Sequence, residues 1–189
     1  TDIGAAIVDA DLFIVDDGAG GTNRKVTASR IKTYAGGASA INDLSDVAMD
    51  ISNFADSILI QTNSDGSAPT TGTLSSASNN VGIGKDVFKT LTSGAENTCI
   101  GTAAGQDLTT GTANVIIGIS AGENITTGDY NIMIGRGAGD GFDAESGNTI
   151  VGYGAATSGS WTAANTVVIG HAAMDAGATQ DGTVAIGKS

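Results

Sequence analysis

The chain has 189 residues, of which 29 are glycine, one is proline and 4% are aromatic, and its formal net charge is −12. The glycines follow no three-residue period, which excludes a collagen-like helix, and 40% apolar content excludes wholesale disorder. Residues 1–65 and 66–189 each hold ten acids against four bases, so neither half offers a basic patch to nucleic acid or to an anionic membrane. No apolar run approaches the ~20 residues of a membrane helix, and no signal peptide is visible. A start at Thr1 without Met and a stop at Ser189, two residues past a recurring strand phrase, read as a processed product or a piece of something longer.

Residues 1–35 read as a small module. Leu12 to Val15 (LFIV) is a short strand, Asp16 to Asn23 a glycine-rich turn, and Arg24 to Ser29 a returning strand, which together predict a hairpin. Ser29 then caps a short helical turn over Arg30 to Tyr34. Arg24, Lys25, Arg30 and Lys32 are half of all the basic residues; they either face an acidic neighbour or pair locally with Asp9, Asp11, Asp16 and Asp17. Residues 36–79 read as connector and linker. Ile41, Leu44 and Val47 stand at helical spacing behind a cap at Asn42 or Asp43, Ser57 to Gln61 reads as a strand, and residues 62–79 have the Ser, Thr and Gly content of a linker.

Residues 80–189 are an array. Asn recurs at 80, 97, 114, 131, 148 and 165, with Gly182 in the seventh place, and every step is 17 residues. A fixed period of this kind predicts a solenoid. Each Asn opens a strand phrase that closes on glycine: NVGIG, NTCIG, NVIIG, NIMIG, NTIVG, NTVVIG and GTVAIG. With Asn as position 1, positions 3 and 4 are both apolar in most copies. Successive strand residues point to opposite faces, so this strand must be covered on both sides. In this reading position 4 fills the coil and position 3 faces a partner, and identical chains around an axis would supply that partner. Behind the strand, Ala104, Ala121 and Ala138 recur at one place and Leu91, Leu108, Ile125 and Phe142 at another, with Thr-Thr-Gly turns leading to the next Asn. Stacked Asn residues can form a ladder. Between the fifth and sixth copies the glycine spacing widens to 18, from Gly152 to Gly170. The last two strands then carry an extra residue each, and a bulge or a widened corner is expected.

Few residues suggest chemistry. Gly182 to Ser189 matches the phosphate-loop pattern, but its glycines are equally the next strand phrase and no helix follows the serine. Asp140, Asp143 and Glu145 crowd one turn without the spacing of a known calcium loop. Asn124-Ile125-Thr126 is a formal glycosylation sequon without a secretory context. Cys99 replaces the apolar residue of other copies, and His171 is the only histidine, so neither a metal nor a cofactor is expected. Tyr130, Phe142, Tyr153 and Trp161 fall in or beside the loops of the middle coils and form the candidate receptor-contact set; ordinary loop packing is the plainer reading.

The phrases NTCIGTAAG and NTVVIGHAA resemble the head repeats of trimeric autotransporter adhesins, although 17 residues is longer than the usual repeat there. Nearly the whole chain resembles tail-fibre and related appendage proteins of marine bacteriophages, including cyanophages. DADLFIVDDGAGGTNRKVTASRIKTYA is similar to their N-terminal module, INDLSDV and ADSILI to their connecting segment, and TLTSGAENTCIGTAAGQDLTTG to their repeats. This resemblance implies a mainly β, left-handed, homotrimeric β-roll behind a small hairpin-plus-helix module. The domains are then 1–35 for docking, 36–79 for connection and 80–189 for the solenoid. It also implies a non-enzymatic virion protein on the outside of the particle, held by other virion proteins through its N-terminal part and reaching toward a host receptor, with no nucleic acid and no membrane insertion. The alternative is the head of a bacterial cell-surface trimeric adhesin. An enzyme on a left-handed hexapeptide helix fits less well, because only one strong apolar strand recurs per period and His171 stands alone.

Overall fold

In the computed structural model, residues 12–15, 24–27, 47–51, 53–61, 71–157, 161–175 and 179–188 are described. Two units are distinguished, Thr1–Asp43 and Leu44–Ser189. The first contains an antiparallel hairpin of β1 (Leu12–Val15) and β2 (Arg24–Thr27), with Leu12 opposite Thr27 and Val15 opposite Arg24. This is the hairpin expected from LFIV and RKVT. The helical turn expected at Arg30 to Tyr34 lies outside the described residues.

The second unit is a β-solenoid built on one sheet. Its strands are β3 (Val47–Ile51), β4 (Phe54–Ile60), β5 (Ala77–Ser78), β6 (Val81–Ile83), β7 (Thr98–Ile100), β8 (Val115–Ile117), β9 (Ile132–Ile134), β10 (Thr149–Val151), β11 (Val167–Ile169) and β12 (Val184–Ile186). From β4 through β6 to β12 the rungs pair in parallel and in register, one per turn of about 17 residues. Seven intervals of ~4.8 Å give the ladder a length of roughly 34 Å. The sheet starts before residue 80. β4, inside the stretch read as connector, is the rung beneath β6, and β3 lies antiparallel beyond it with a register shift between Met49 and Ile51. The helical spacing ending at Val47 is therefore corrected for residues 47–51, which are strand. An antiparallel partner with its own backbone groups to satisfy outweighs a short i, i+3 pattern.

Alternation along each three-residue rung decides what lies inside. Asn80, Asn97, Asn114, Asn131 and Asn148 are fully buried, so the second residue after each of them is buried too: Cys99, Ile116, Met133 and Ile150. The residues on either side, such as Ile132 and Ile134, point out. The expected phase is thus reversed: position 3 fills the coil and position 4 faces outward. Both positions are apolar, so hydrophobicity alone could not phase them, whereas the buried polar Asn does.

The Asn residues form a continuous ladder. The Oδ1 of Asn97 accepts from the backbone N–H of Asn114 at 3.0 Å and from its Nδ2 at 2.9 Å, while Asn114 Nδ2 also donates to Gly128 O at 2.9 Å. The same pattern links Asn80 to Asn97, Asn114 to Asn131 and Asn131 to Asn148. At the lower end the Asn80 N–H donates to Ser57 Oγ. At the upper end the Thr166 N–H donates to Asn148 Oδ1, so Thr166, not Asn165, takes the sixth place. This locates the slip. Asn165, at φ 56, occupies the left-handed corner that precedes each rung, as do Glu96 at 62, Ala113 at 55 and Tyr130 at 58. The strand stays three residues long, so no bulge enters the strands; the extra residue is absorbed in the turn between Asn148 and Thr166.

Corner geometry follows register more than residue type. The left-handed residue before each rung donates its N–H to the coil below, as Ala113 does to Ala95 O and Tyr130 to Thr112 O. Left-handed backbone costs an L residue roughly 1–2 kcal/mol, and an inter-coil hydrogen bond offsets it at each level. Threonine hydroxyls add a second tie on the return side: Thr92 Oγ1 donates to Thr109 O at 3.1 Å and Thr109 Oγ1 to Thr126 O at 3.0 Å.

Inside the coil, size is exchanged between position 3 and a return-side residue six further on. Gly82 faces Phe88, and a Cβ on Gly82 would stand 2.8 Å from Phe88 Cδ2. In the next coils the order flips, because a Cβ on Gly105 would meet Cys99 Sγ at 2.9 Å and one on Gly139 would meet Met133 Sδ at 2.6 Å. Phe88→Ala should therefore cost about 3 kcal/mol, the usual order for emptying an aromatic core site. The double change Gly82→Ile with Phe88→Gly copies the Ile116–Gly122 pair and should recover most of that loss. Urea denaturation of the three proteins checks the exchange; a double variant no more stable than Phe88→Ala would show that the two sites do not share one volume.

Candidate interaction surface

The outer face of the solenoid sheet is the feature that the fold leaves unexplained. On the eight rungs from β4 to β12, sixteen side chains flank the inward ones, and all but Thr98 and Thr149 are Val or Ile. Ile132 and Ile134 keep 40% and 37% of their surface exposed, although the core beneath them is already filled by Met133. Scattered exposed apolar residues need no explanation, but a contiguous stripe running along a sheet marks a contact surface.

Two exposed columns border this stripe. The leading column is the left-handed corner before each rung and contains Glu96, Tyr130 and Asn165. The trailing column follows the closing glycine and contains Lys85, Ile119, Arg136, Tyr153 and His171. Its register is held by the next residue along, since the Gly154 N–H donates to Arg136 O and the Ala172 N–H to Tyr153 O. Within that column Arg136 lies 5.7 Å from the Tyr153 ring centroid and donates from Nη1 to its hydroxyl at 3.3 Å, and the His171 ring stacks on Tyr153 at 5.2 Å.

The four aromatic residues expected at a receptor patch do not come together. Tyr130 is 69% exposed on the leading column and Tyr153 is 52% exposed on the trailing column, at opposite ends of neighbouring rungs. Phe142 and Trp161 are corrected to core residues: their rings stack at 4.7 Å inside the coil and both are buried. Phe142 continues the Leu91, Leu108 and Ile125 column, and Trp161 lies over Gly141 in the coil that carries the extra residue. The surface residues missed from sequence are Ile132, Ile134 and Ile119. The signal that would have found them is the phase set by Asn131 and Asn114.

The remaining motifs are accounted for by local bonds. Gly182 to Gly187 contains β12, a parallel rung paired with β11, and not a loop curled around an anion. Glu145 Oε2 accepts from the N–H groups of Asp143 and Ala144, Asp143 Oδ1 accepts from Thr126 Oγ1, and Asp140 Oδ1 accepts from Asn124 Nδ2. These carboxylates thus serve separate turns, and among the described residues no three His, Cys, Asp or Glu converge as a metal site. Burial, with Glu123 as the lesser cause, raises the Asp140 carboxyl above its ordinary range. Full burial pushes the Cys99 thiol far up, which leaves it a packing group and not a nucleophile. Among the described residues no helix is long and apolar enough to cross a membrane.

Comparison with protein-family models, with curated proteins and with solved structures gives no match.

Proposed function

We propose that the chain is a structural, non-enzymatic protein of a bacteriophage particle, a tail fibre or related appendage in which three copies wind left-handed coils around a common axis. Its N-terminal part attaches to other virion proteins, and its repeats project outward toward a host surface. The assembly part of this reading rests on one observation: a filled coil whose outer sheet face is a continuous stripe of Ile and Val. Burying such a stripe against identical stripes yields about 25 cal/mol per Å² of apolar surface, and a closed cyclic arrangement leaves no copy of it exposed. The virion part rests on the resemblance of residues 9–35 and of the repeat phrases to marine phage appendage proteins. The left-handed winding and the count of three rest on the same resemblance.

Two measurements test the two parts. Light scattering of the purified chain should give a mass three times the 18.5 kDa of one copy; a single-copy mass would end the assembly reading. Labelled antibody imaging of intact particles should place the protein on an external appendage, and its absence from the particle would end the virion reading.

A further inference from the structure

The two columns bordering the apolar stripe differ in charge and in size, and the difference is matched level by level. Residues 80–189 hold four basic side chains, Lys85, Lys89, Arg136 and Lys188, and three of them stand in the trailing column together with His171. That column has no acid. The leading column has no base, and its charged members are Asp56 and Glu96, one rung below and one rung above the level of Lys85. At the level of β9 the leading residue is Tyr130 and the trailing one Arg136, a cation beside an exposed ring. At the level of β10 the leading residue is Gly147, without a side chain, and the trailing one is the large Tyr153.

We infer that neighbouring copies meet with the trailing column of one against the leading column of the next, rung against rung, so that Arg136 packs on the Tyr130 of the adjacent copy and Lys85 lies between its Asp56 and Glu96. This rests on the assembly reading above and adds the contact that sets its direction. Copies related by rotation about an axis along the array always bring a trailing edge to a leading edge at the same level. Copies running in opposite directions would bring two trailing edges together and set Lys85, Arg136 and Lys188 of one copy against the same basic column of the other. The charges disfavour that arrangement. The first arrangement sets no charge against its like on any described rung.

Cysteine pairing reads the contact directly. Tyr130 and Arg136 of one chain flank the same rung and are separated by five residues of mostly extended backbone, too far apart for an internal disulfide, which needs Cα atoms within about 7 Å. Cys99 is fully buried and does not compete. The double variant Tyr130→Cys with Arg136→Cys, oxidised in the assembled full chain, should run as a covalent oligomer on a non-reducing denaturing gel, while each single variant runs as one chain. An assembled double variant that stays unlinked, or an Arg136→Cys single variant that links to itself, overturns the inference. A single-copy mass for the unsubstituted chain overturns the assembly reading instead. Charge reversal gives a second readout. Lys85→Glu should raise the concentration at which the assembly half-dissociates about tenfold, and adding Glu96→Lys should restore it; a double variant weaker than Lys85→Glu alone also overturns the inference.

Discussion

Asn114→Ala is expected to lower the stability of the solenoid by about 3–6 kcal/mol, a large share of the 5–15 kcal/mol typical of a domain. Asn114 lies fully buried in the middle of the ladder. Its Nδ2 donates to Asn97 Oδ1 and to Gly128 O, and its Oδ1 accepts from the backbone and the side chain of Asn131. Alanine removes all four bonds and fills none of the polar space. The Asn131 N–H and Gly128 O are left inside the coil with their ladder partner gone, at about 1–3 kcal/mol for each buried group so orphaned. Leu would be no better, because its methyl groups would face the same donors and acceptor. Asn114→Asp keeps the acceptor but loses both donors and buries a charge, so its loss should grow as the pH rises through the carboxylate range. Asn124→Ala is the control. That amide bonds Asp140 on the exposed return side, and its loss should stay within about 0.5 kcal/mol. Urea titrations followed by far-UV circular dichroism give both values, and an Asn114→Ala protein within 1 kcal/mol of the parent would remove the ladder from the account of stability.

The period could be read from the sequence because one residue type marks one geometric place. Asn97, Asn114, Asn131 and Asn148 share an environment that few other side chains satisfy, so the spacing of 17 survives all variation between them. What could not be read is where equivalent chemistry sits in different geometry. Ile116 and Ile117 are the same residue, yet one is core and the other surface, and only the phase of Asn114 separates them. The corner before each rung is filled by Glu96, Ala113, Tyr130, Gly147 and Asn165, so it has no residue signature and is held by an inter-coil hydrogen bond. Asn165 misled the reading for that reason: it continues the period of the Asn column but stands at the corner, and Thr166 holds the ladder. Phe142 and Trp161 looked like loop aromatics because both stand among Gly, Ser and Thr. Their burial depends on a stacking partner from the adjacent coil. The strand Val47–Ile51 likewise depends on β4, beyond the reach of local spacing.

The glycine that closes each rung should be less replaceable still. Gly101 has φ +134, a conformation L residues rarely adopt, and a Cβ built on it would stand 2.5 Å from the Gly118 carbonyl oxygen and 2.7 Å from its carbon. The same approach recurs where Gly118 meets Gly135 and Gly135 meets Gly152, so the column is a stack of backbones at closest contact. Gly101→Ala therefore combines a backbone cost of about 1–3 kcal/mol with a clash against main chain, which cannot rotate away as a side chain can. Relief requires neighbouring coils to part at this corner. The bonds there from the Gly118 N–H to Ile100 O and from the Ser120 N–H to Thr102 O would then lengthen. A total loss on the order of 5 kcal/mol or more is expected, and because stability in an array is a sum of nearest-neighbour contacts, the coils below Gly101 should unfold separately from those above it. Gly137→Ala separates the two causes. Gly137 also has a positive φ, +66, but its Cβ would meet only Thr157 Cγ2 at 3.5 Å, and the same corner is filled by Ala103 and Ser120 in other coils. Its replacement should cost no more than about 1–2 kcal/mol and leave a single unfolding transition. Equal losses for the two variants would mean that left-handed backbone alone, and not the contact between coils, reserves the closing position for glycine.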